Sequence, residues 1–380
     1  MLTIQKKTDC SGCGGCRQVC PQQCISYEPD SEGFLYPRID TSRCIGCGRC
    51  DRVCPMTQSV RRDPENERVY ACINPQEPVR LQSSSGGIFP LLAAETIAEG
   101  GSVFGAVFEK GRVVHHRADT VEEAAAFQGS KYVQSDMKNC FVEAKERLQS
   151  GKRVLFSGTP CQIYGLSCYL SREYENLLTT DCVCMGVPSP EVWRKYREYR
   201  EQEAGGTACG VSFRDKSTGW KDYSLSMKFA NGGDYRNRHN DDLYLKGFGH
   251  CLFLRPACHE CRFKDLRSRA DLTLGDYWGV GSKFPGLDDD RGVSMVLVNT
   301  PKGREAFARI KDRITCMPSD WKHAVSTHPS MVKSVAPDPR RSAFFAELQA
   351  LPVETLLQKY TRPTGMERVK KTVKRLLGRK

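Results

Sequence analysis

Along the chain the spacing of apolar and polar positions changes several times, and each change predicts an element. Two short runs, Ile25 to Tyr27 and Phe34 to Tyr36, flank Pro29, Asp30 and Gly33, which predicts two short strands joined by a slightly enlarged hairpin. The charged stretch Arg61 to Glu67, with Pro64 inside it, reads as a linker, and a new domain begins near Val69. There Ser83-Ser84-Ser85-Gly86-Gly87 leads into a helical run from Ile88 to Glu99. Pro90 suits that start, because the first turn of a helix has no N–H partner to lose. Farther on, Arg153 to Ser157 reads as a buried strand, Gly158-Thr159-Pro160 as a turn, and Cys161 to Leu170 as a helix. Leu177 to Cys184 follows as a second strand, then the turn Gly186-Val187-Pro188 and a helix from about Glu191. A right-handed crossover makes these two strands parallel, so their carboxyl ends, where ligands bind in such sheets, share one edge. Asp271 to Asp276 predicts another strand, ending in Tyr277-Trp278-Gly279. In the tail, Val369, Val373, Leu376 and Leu377 fall at helical spacing on one side of a basic segment.

Length changes this picture little: 380 residues suffice for two or three domains. The apolar stretch Gly87 to Ala98 is interrupted by Pro90 and Glu95 and is shorter than the ~18 residues a membrane-spanning helix needs. The start, MLTIQKKTDC, has no apolar signal region, so a cytoplasmic protein is expected and its twenty cysteines read as metal ligands and reduced thiols. The formal charge of +12 is concentrated at the end, where residues 361–380 hold eight Lys and Arg against Glu367 alone. That tail suits a terminal helix packed on its own domain or one that seeks an anionic membrane surface. No nucleic-acid-binding motif accompanies the charge, which argues against nucleic acid as a partner.

The cysteine spacing carries the chemistry. Cys10, Cys13, Cys16 and Cys20, followed by Pro21, spell C-x2-C-x2-C-x3-C-P, and Cys44, Cys47, Cys50 and Cys54, followed by Pro55, repeat it. Zinc ribbons use separated C-x2-C pairs, whereas this doubled run is the ligand pattern of two 4Fe-4S clusters. The fourth cysteine of each run serves the other cluster, giving Cys10, Cys13, Cys16 and Cys54 for one and Cys44, Cys47, Cys50 and Cys20 for the second. In the body, Cys161 and Cys184 are expected at one sheet edge, and Cys258-His259-Glu260-Cys261 supplies two more thiols on a loop. Four such thiolates suit either zinc or a third 4Fe-4S cube. Cys161 opens a helix, where the local field favours thiolate. Cys182 sits one residue pair back from Cys184 and is the weaker candidate, while Cys24, Cys72, Cys140, Cys168, Cys209, Cys251 and Cys316 read mostly as small buried hydrophobes. The Ser83–Gly87 helix start suits a phosphate group or a plain N-cap equally well.

Several motifs in order resemble the coenzyme F420 hydrogenase/dehydrogenase beta-subunit family, in the branch with a fused dicluster ferredoxin. They are Ser84-Ser85-Gly86-Gly87, Gly129-Ser130-Lys131-Tyr132, Ser157-Gly158-Thr159-Pro160-Cys161-Gln162, Val183-Cys184-Met185-Gly186-Val187-Pro188-Ser189, Cys258-His259-Glu260-Cys261 and Gly275-Asp276-Tyr277-Trp278-Gly279. Pro90 and Ala257 depart from hydroxyl residues common in that family, and neither change removes a ligand. The resemblance implies an α+β chain: a bacterial-type dicluster ferredoxin fold over residues 1–62, fused to an α/β flavin-binding domain with a largely parallel or mixed sheet over 68–150 and 151–330, and a helical basic tail over 331–380. It implies FAD, contacted by Ser84, Ser85, Gly86, Gly87, Ser130, Lys131, Tyr132, Gly158, Thr159, Asp276, Tyr277 and Trp278. It also implies a third 4Fe-4S cluster on Cys161, Cys184, Cys258 and Cys261. Lys131 is either a group that favours reduced flavin or an ordinary solvated lysine. The partners implied are a ferredoxin-like electron carrier or redox subunit, and a hydride carrier or organic substrate. A flavin suits the chemistry, because clusters move single electrons and most organic reductions need two.

Overall fold

The computed structural model describes residues 4–59 and 68–362, so the expected linker and the amphipathic end of the tail lie outside the described residues. In the first domain each cysteine loop runs into a short helix, Gly15–Val19 and Arg49–Arg52. Between them β1 (Ile25–Pro29) and β2 (Leu35–Ile39) form the expected antiparallel hairpin, with Ile25 opposite Ile39 and Pro29 opposite Leu35.

The body is built on an eight-stranded sheet. Its strands are β3 (Arg68–Ile73), β4 (Ser102–Glu109), β5 (Arg112–Ala118), β6 (Val154–Gly158) and β7 (Leu177–Cys182). The chain then leaves it for a separate antiparallel sheet of β8 (Ala208–Asp215), β9 (Ser224–Phe229) and β10 (Asp234–Arg238). It returns for β11 (Leu272–Asp276), β12 (Ser294–Val298) and β13 (Thr315–Ser319). The order is β13-β3-β12-β11-β7-β6-β4-β5, with β11, β7, β6 and β4 parallel and the flanking pairs antiparallel. The class is therefore mixed α+β.

Strand β6 shows how the pleat divides the core. Leu155 packs on one face with Leu91, Leu92, Phe307 and Ile310 from the helices Phe89–Ala98 and Pro301–Lys311. Its neighbours Val154 and Phe156 pack on the other with Phe141, Ile163 and Leu166 from the helices Cys140–Gln149 and Pro160–Leu170. Successive side chains on a strand point to opposite faces, so a buried central strand is apolar throughout. Strand β7 stops at Cys182, two residues earlier than the sequence pattern suggests. Its pairing with β11 ends at Leu274, whose carbonyl accepts from the Val183 amide, and the Val183 side chain lies over Gly275. Cys184 thus sits on the segment beyond the strand.

The ferredoxin domain is seated on the body by two close approaches. On the helix Pro160–Leu170, a Cβ at Gly165 would stand 2.8 Å from the Cβ of Cys13, so only glycine lets that helix meet the first cysteine loop. At the hairpin tip, Gly33 has φ +84°, and a Cβ there would lie 2.3 Å from the Cβ of Glu191. Polar contacts frame these points: Arg17 donates to the Lys138 carbonyl (2.6 Å) and the Asp136 carboxylate (3.2 Å), the Phe141 amide donates to Gln18 (2.8 Å), and Arg341 pairs with Glu32. Gly33→Ala therefore adds left-handed strain on the order of 1–2 kcal/mol, plus a clash at the seam. Urea unfolding of the variant should show a lowered midpoint; an unchanged midpoint would mean the hairpin is not seated on the helix that begins at Pro190.

Candidate functional site

The parallel strands end along one edge, and a cavity of about 1160 Å³ opens there, large enough for a dinucleotide cofactor. From the expected set, Ser84, Ser85, Gly87, Ser130, Lys131, Tyr132, Gly158, Thr159, Asp276 and Trp278 line it. Gly86 and Tyr277 do not. Gly86 is pressed against the strands behind, where a Cβ would come 2.3 Å from the Cys72 carbonyl oxygen. Tyr277 is fully buried on the opposite side of its strand end and hydrogen-bonds His323 at 2.9 Å, because neighbouring residues at a strand end alternate between faces.

Ser84 holds the two glycine-serine loops together: its hydroxyl accepts from the Ser130 amide (2.6 Å) and meets the Ser130 hydroxyl (2.8 Å). The helix Phe89–Ala98 has Ile88 at its N-cap and no side-chain cap, so the serines do not serve as caps. Its first-turn residues Phe89 and Pro90 line the cavity, together with Ile88. An uncapped helix start beside two loops rich in hydroxyls is a favourable place for an anion.

Lys131 is half-buried. Its ammonium donates to the carbonyls of Ala126 and Gln128, both at 2.8 Å, and burial lowers its pKa to about 7. His115, also on the wall, lies between the Ser135 hydroxyl (2.7 Å) and the Ser157 carbonyl (3.1 Å), and burial lowers its pKa to about 4. The carbonyl can only accept, so Nε2 carries the proton of a neutral ring.

Asp276 is fully engaged. Arg214 forms a bidentate pair with it (2.8 and 3.1 Å), and Trp220 donates to it at 2.8 Å. Trp220 stacks on Trp278 with ring centroids 4.6 Å apart, and the Arg214 guanidinium lies 4.0 Å from the centroid of the Tyr223 ring. This leaves an aromatic, cation-bearing wall and no free carboxylate at that strand end. Sequence reading missed Arg214 because it lies on β8, outside the motifs.

It also missed Asp181, on the carboxyl-terminal half of β7. This side chain is buried, accepts from the Ser268 hydroxyl at 2.5 Å, and has its other oxygen unpartnered. Burial raises its pKa from 3.8 to about 6. The sequence signal was available, since Thr179-Thr180-Asp181 is a polar run in a strand buried on both faces.

The structure gathers the cysteines into three sets. Cys13 is raised in pKa by burial and by Cys16, Cys10 and Cys54, and Cys16 by burial, Cys10 and Cys54, so these four thiols share one inner site against the body. Cys20, Cys44, Cys47 and Cys50 line a small hollow on the outer side, joined by Cys24, whose sulfur is 3.4 Å from that of Cys20. The outer loop is open, with Cys47 exposed and Ile45 63% exposed.

In the body, burial and the neighbouring Cys261 and Cys258 push Cys161 up to about 12, and burial raises Cys184 well above its usual value, with Cys182, Cys258 and Cys161 contributing. Cys161 stands in the first turn of the helix Pro160–Leu170, where desolvation opposes the helix field. Cys161, Cys184, Cys258 and Cys261 lie within electrostatic reach of one another, although no three ligand-type side chains among the described residues converge as around a single ion. The Val187 amide points at the Cys258 sulfur (3.4 Å), and the Thr159 hydroxyl meets that of Cys161 (3.2 Å). Cys182 and Cys184 both line the cavity, Cys182 the more exposed of the two. Of the remaining thiols, Cys24, Cys72, Cys140 and Cys251 are buried, whereas Cys209 is exposed.

Comparison with known proteins gives two family matches. Residues 9–58 match the 4Fe-4S dicluster domain, and residues 151–320 match the domain described as the C terminus of the coenzyme F420 hydrogenase/dehydrogenase beta subunit. A search of curated proteins finds no match. Among solved structures, the chain is similar to one from the xenon-derivatised F420-reducing NiFe hydrogenase complex of Methanosarcina barkeri. The identity is 16%, the TM-score 0.46, and the alignment covers 79% of this chain and 94% of that one. Among the described residues no helix is long and apolar enough to cross a membrane.

Asp181 yields a pH-dependent expectation. Its folded pKa is raised, so its penalty is absent below 3.8, grows as pH rises through about 6, and stays constant above that. Two pKa units correspond to on the order of 3 kcal/mol at pH 7. Asp181→Asn should remove this penalty: the stability difference between variant and wild type, from urea unfolding between pH 4 and 8, should grow with pH in the variant's favour. A difference independent of pH would mean that the carboxyl is not buried as described.

Proposed function

We infer from the matches over residues 151–320 and 9–58 that this chain belongs to the coenzyme F420 hydrogenase/dehydrogenase beta-subunit family, with an amino-terminal 4Fe-4S dicluster domain, and that it is an iron-sulfur flavoprotein oxidoreductase. It would pass electrons between an external one-electron carrier or redox partner subunit and a hydride carrier or organic substrate, with FAD as the group that would couple the two. The observation that carries this reading is the position of the large cavity: its wall includes Cys184, so a flavin within it would adjoin the body's four-thiol set.

The residues present fit both groups. For FAD, the uncapped start of the helix Phe89–Ala98 and the Ser84–Ser130 clasp suit the diphosphate, and the Trp278 and Arg214 wall suits a planar ring. When bound, a flavin converts single-electron steps into two-electron chemistry. Lys131 would hold a proton or a positive charge at that wall, with a pKa close to neutrality, while neutral His115 would keep Ser135 and Ser157 in place. For the third site, the four thiols of Cys161, Cys184, Cys258 and Cys261 would suit a cube beside the dicluster domain. The open Cys44–Cys50 loop, with Ile45 exposed, is the surface on which an electron carrier would dock, and the inner site lies between it and the body.

Protein purified without oxygen should release FAD on denaturation and contain about 12 iron atoms, three cubes of four. Cys184→Ala should lower the count to about 8 and leave the ferredoxin signals, whereas Cys182→Ala should keep all its iron. Correctly metallated protein that yields no flavin would end the flavoenzyme reading. Zinc in place of the third cube, or equal iron in the two variants, would end the ligand assignment.

A further inference from the structure

Arg255 is fully buried, and its guanidinium lies at the seam between the two domains. Nε donates to the Cys10 carbonyl (2.8 Å), one terminal nitrogen to the side-chain oxygen of Gln134 (3.1 Å), and the other to the Leu35 carbonyl (3.1 Å). The plane lies 4.2 Å from the ring centroid of Tyr36 and 5.6 Å from that of Phe34. Its own backbone is tied to the third thiol set: the Arg255 carbonyl accepts from the Cys258 amide (2.9 Å), and its amide donates to the Val187 carbonyl (2.9 Å). One residue thus touches the loop of the inner ferredoxin site and caps the turn that carries Cys258.

Among the described residues this cation has no carboxylate partner. The acids of the adjoining hairpin are already engaged, Glu28 with Arg38 (3.5 Å), Asp30 with Lys7 (2.7 Å) and Glu32 with Arg341 (2.5 Å). A buried guanidinium without a counter-charge is strongly unfavourable. Arg255 touches one expected cluster ligand from each of two sites: its Nε donates to the Cys10 carbonyl, and its own carbonyl accepts from the Cys258 amide. A 4Fe-4S cube on four thiolates is anionic and becomes more so on reduction, so when bound it would supply the missing charge.

We propose that Arg255 is the shared counter-ion of the inner ferredoxin cluster and the body's third cluster, favouring the reduced form of both and so keeping the inner step of electron transfer open. The third-cluster half rests on the reading given under Proposed function; the inner-cluster half rests on the dicluster domain alone. Arg255 is a positioning and charge-setting residue and takes no part in bond making.

The test is a redox titration of the holoprotein followed by electron paramagnetic resonance, with Arg255→Gln and Arg255→Lys. Arg255→Gln should make the potentials of the inner and third clusters more negative and leave the outer one unchanged. Arg255→Lys, which keeps the charge, should stay close to wild type. Should Arg255→Gln fail to load its clusters while Arg255→Lys loads normally, the requirement for charge is equally met. Should both fail, Gln134→Glu decides: a carboxylate beside the guanidinium offsets its field without removing it, so the same two potentials should fall. Unchanged potentials in Arg255→Gln, or in Gln134→Glu when the other two do not load, overturn the proposal, as does an equal shift of all three clusters. Wild-type protein with only about 8 iron atoms would sink the third cube alone and leave the inner-cluster comparison as the test of Arg255.

Discussion

Everything at the site depends on four strands running the same way. Because β4, β6, β7 and β11 are parallel, their carboxyl ends reach one edge, and the turns that follow them converge there. Gly158 and Thr159 leave β6, Cys184 lies just past β7, and Asp276 with Trp278 ends β11. An antiparallel arrangement would have sent alternate turns to opposite ends of the sheet. The antiparallel strands β3, β12 and β13 extend the sheet on one side and provide the backing that Gly86 packs against.

A second constraint is desolvation. Burial is the largest influence raising the pKa of Cys13, Cys16, Cys161, Cys184 and Cys258. Such thiols stay protonated on their own, and only a metal centre makes the thiolate favourable in that setting. The same physics lowers Lys131 and His115 and raises Asp181, so several groups around the cavity are shifted towards their neutral forms. Arg214 is the exception: it keeps its charge because Asp276 accompanies it.

Much of this was legible in the chain. The doubled cysteine run, the hairpin between its halves and the strand-turn-helix-strand unit around Cys161 follow from spacing and period alone. Tyr277 does not line the cavity, because the pleat lets only alternate residues, Asp276 and Trp278, face it. Asp181 was passed over in favour of the cysteines that follow it. Arg255 was out of reach for another reason: its contact with Cys10 spans 245 positions, and no local pattern marks an arginine as the link between two distant loops. The pairing of β3 with β12 and β13 was hidden in the same way.

The helix Pro160–Leu170 carries Cys161 in its first turn and, one turn on, the Gly165 that lies against Cys13. That contact has a consequence for the order of assembly. Cys10, Cys13 and Cys16 are buried at the seam whereas Cys47 is exposed, so iron and sulfide would reach the inner loop most readily before the two domains close, and the outer loop at any stage.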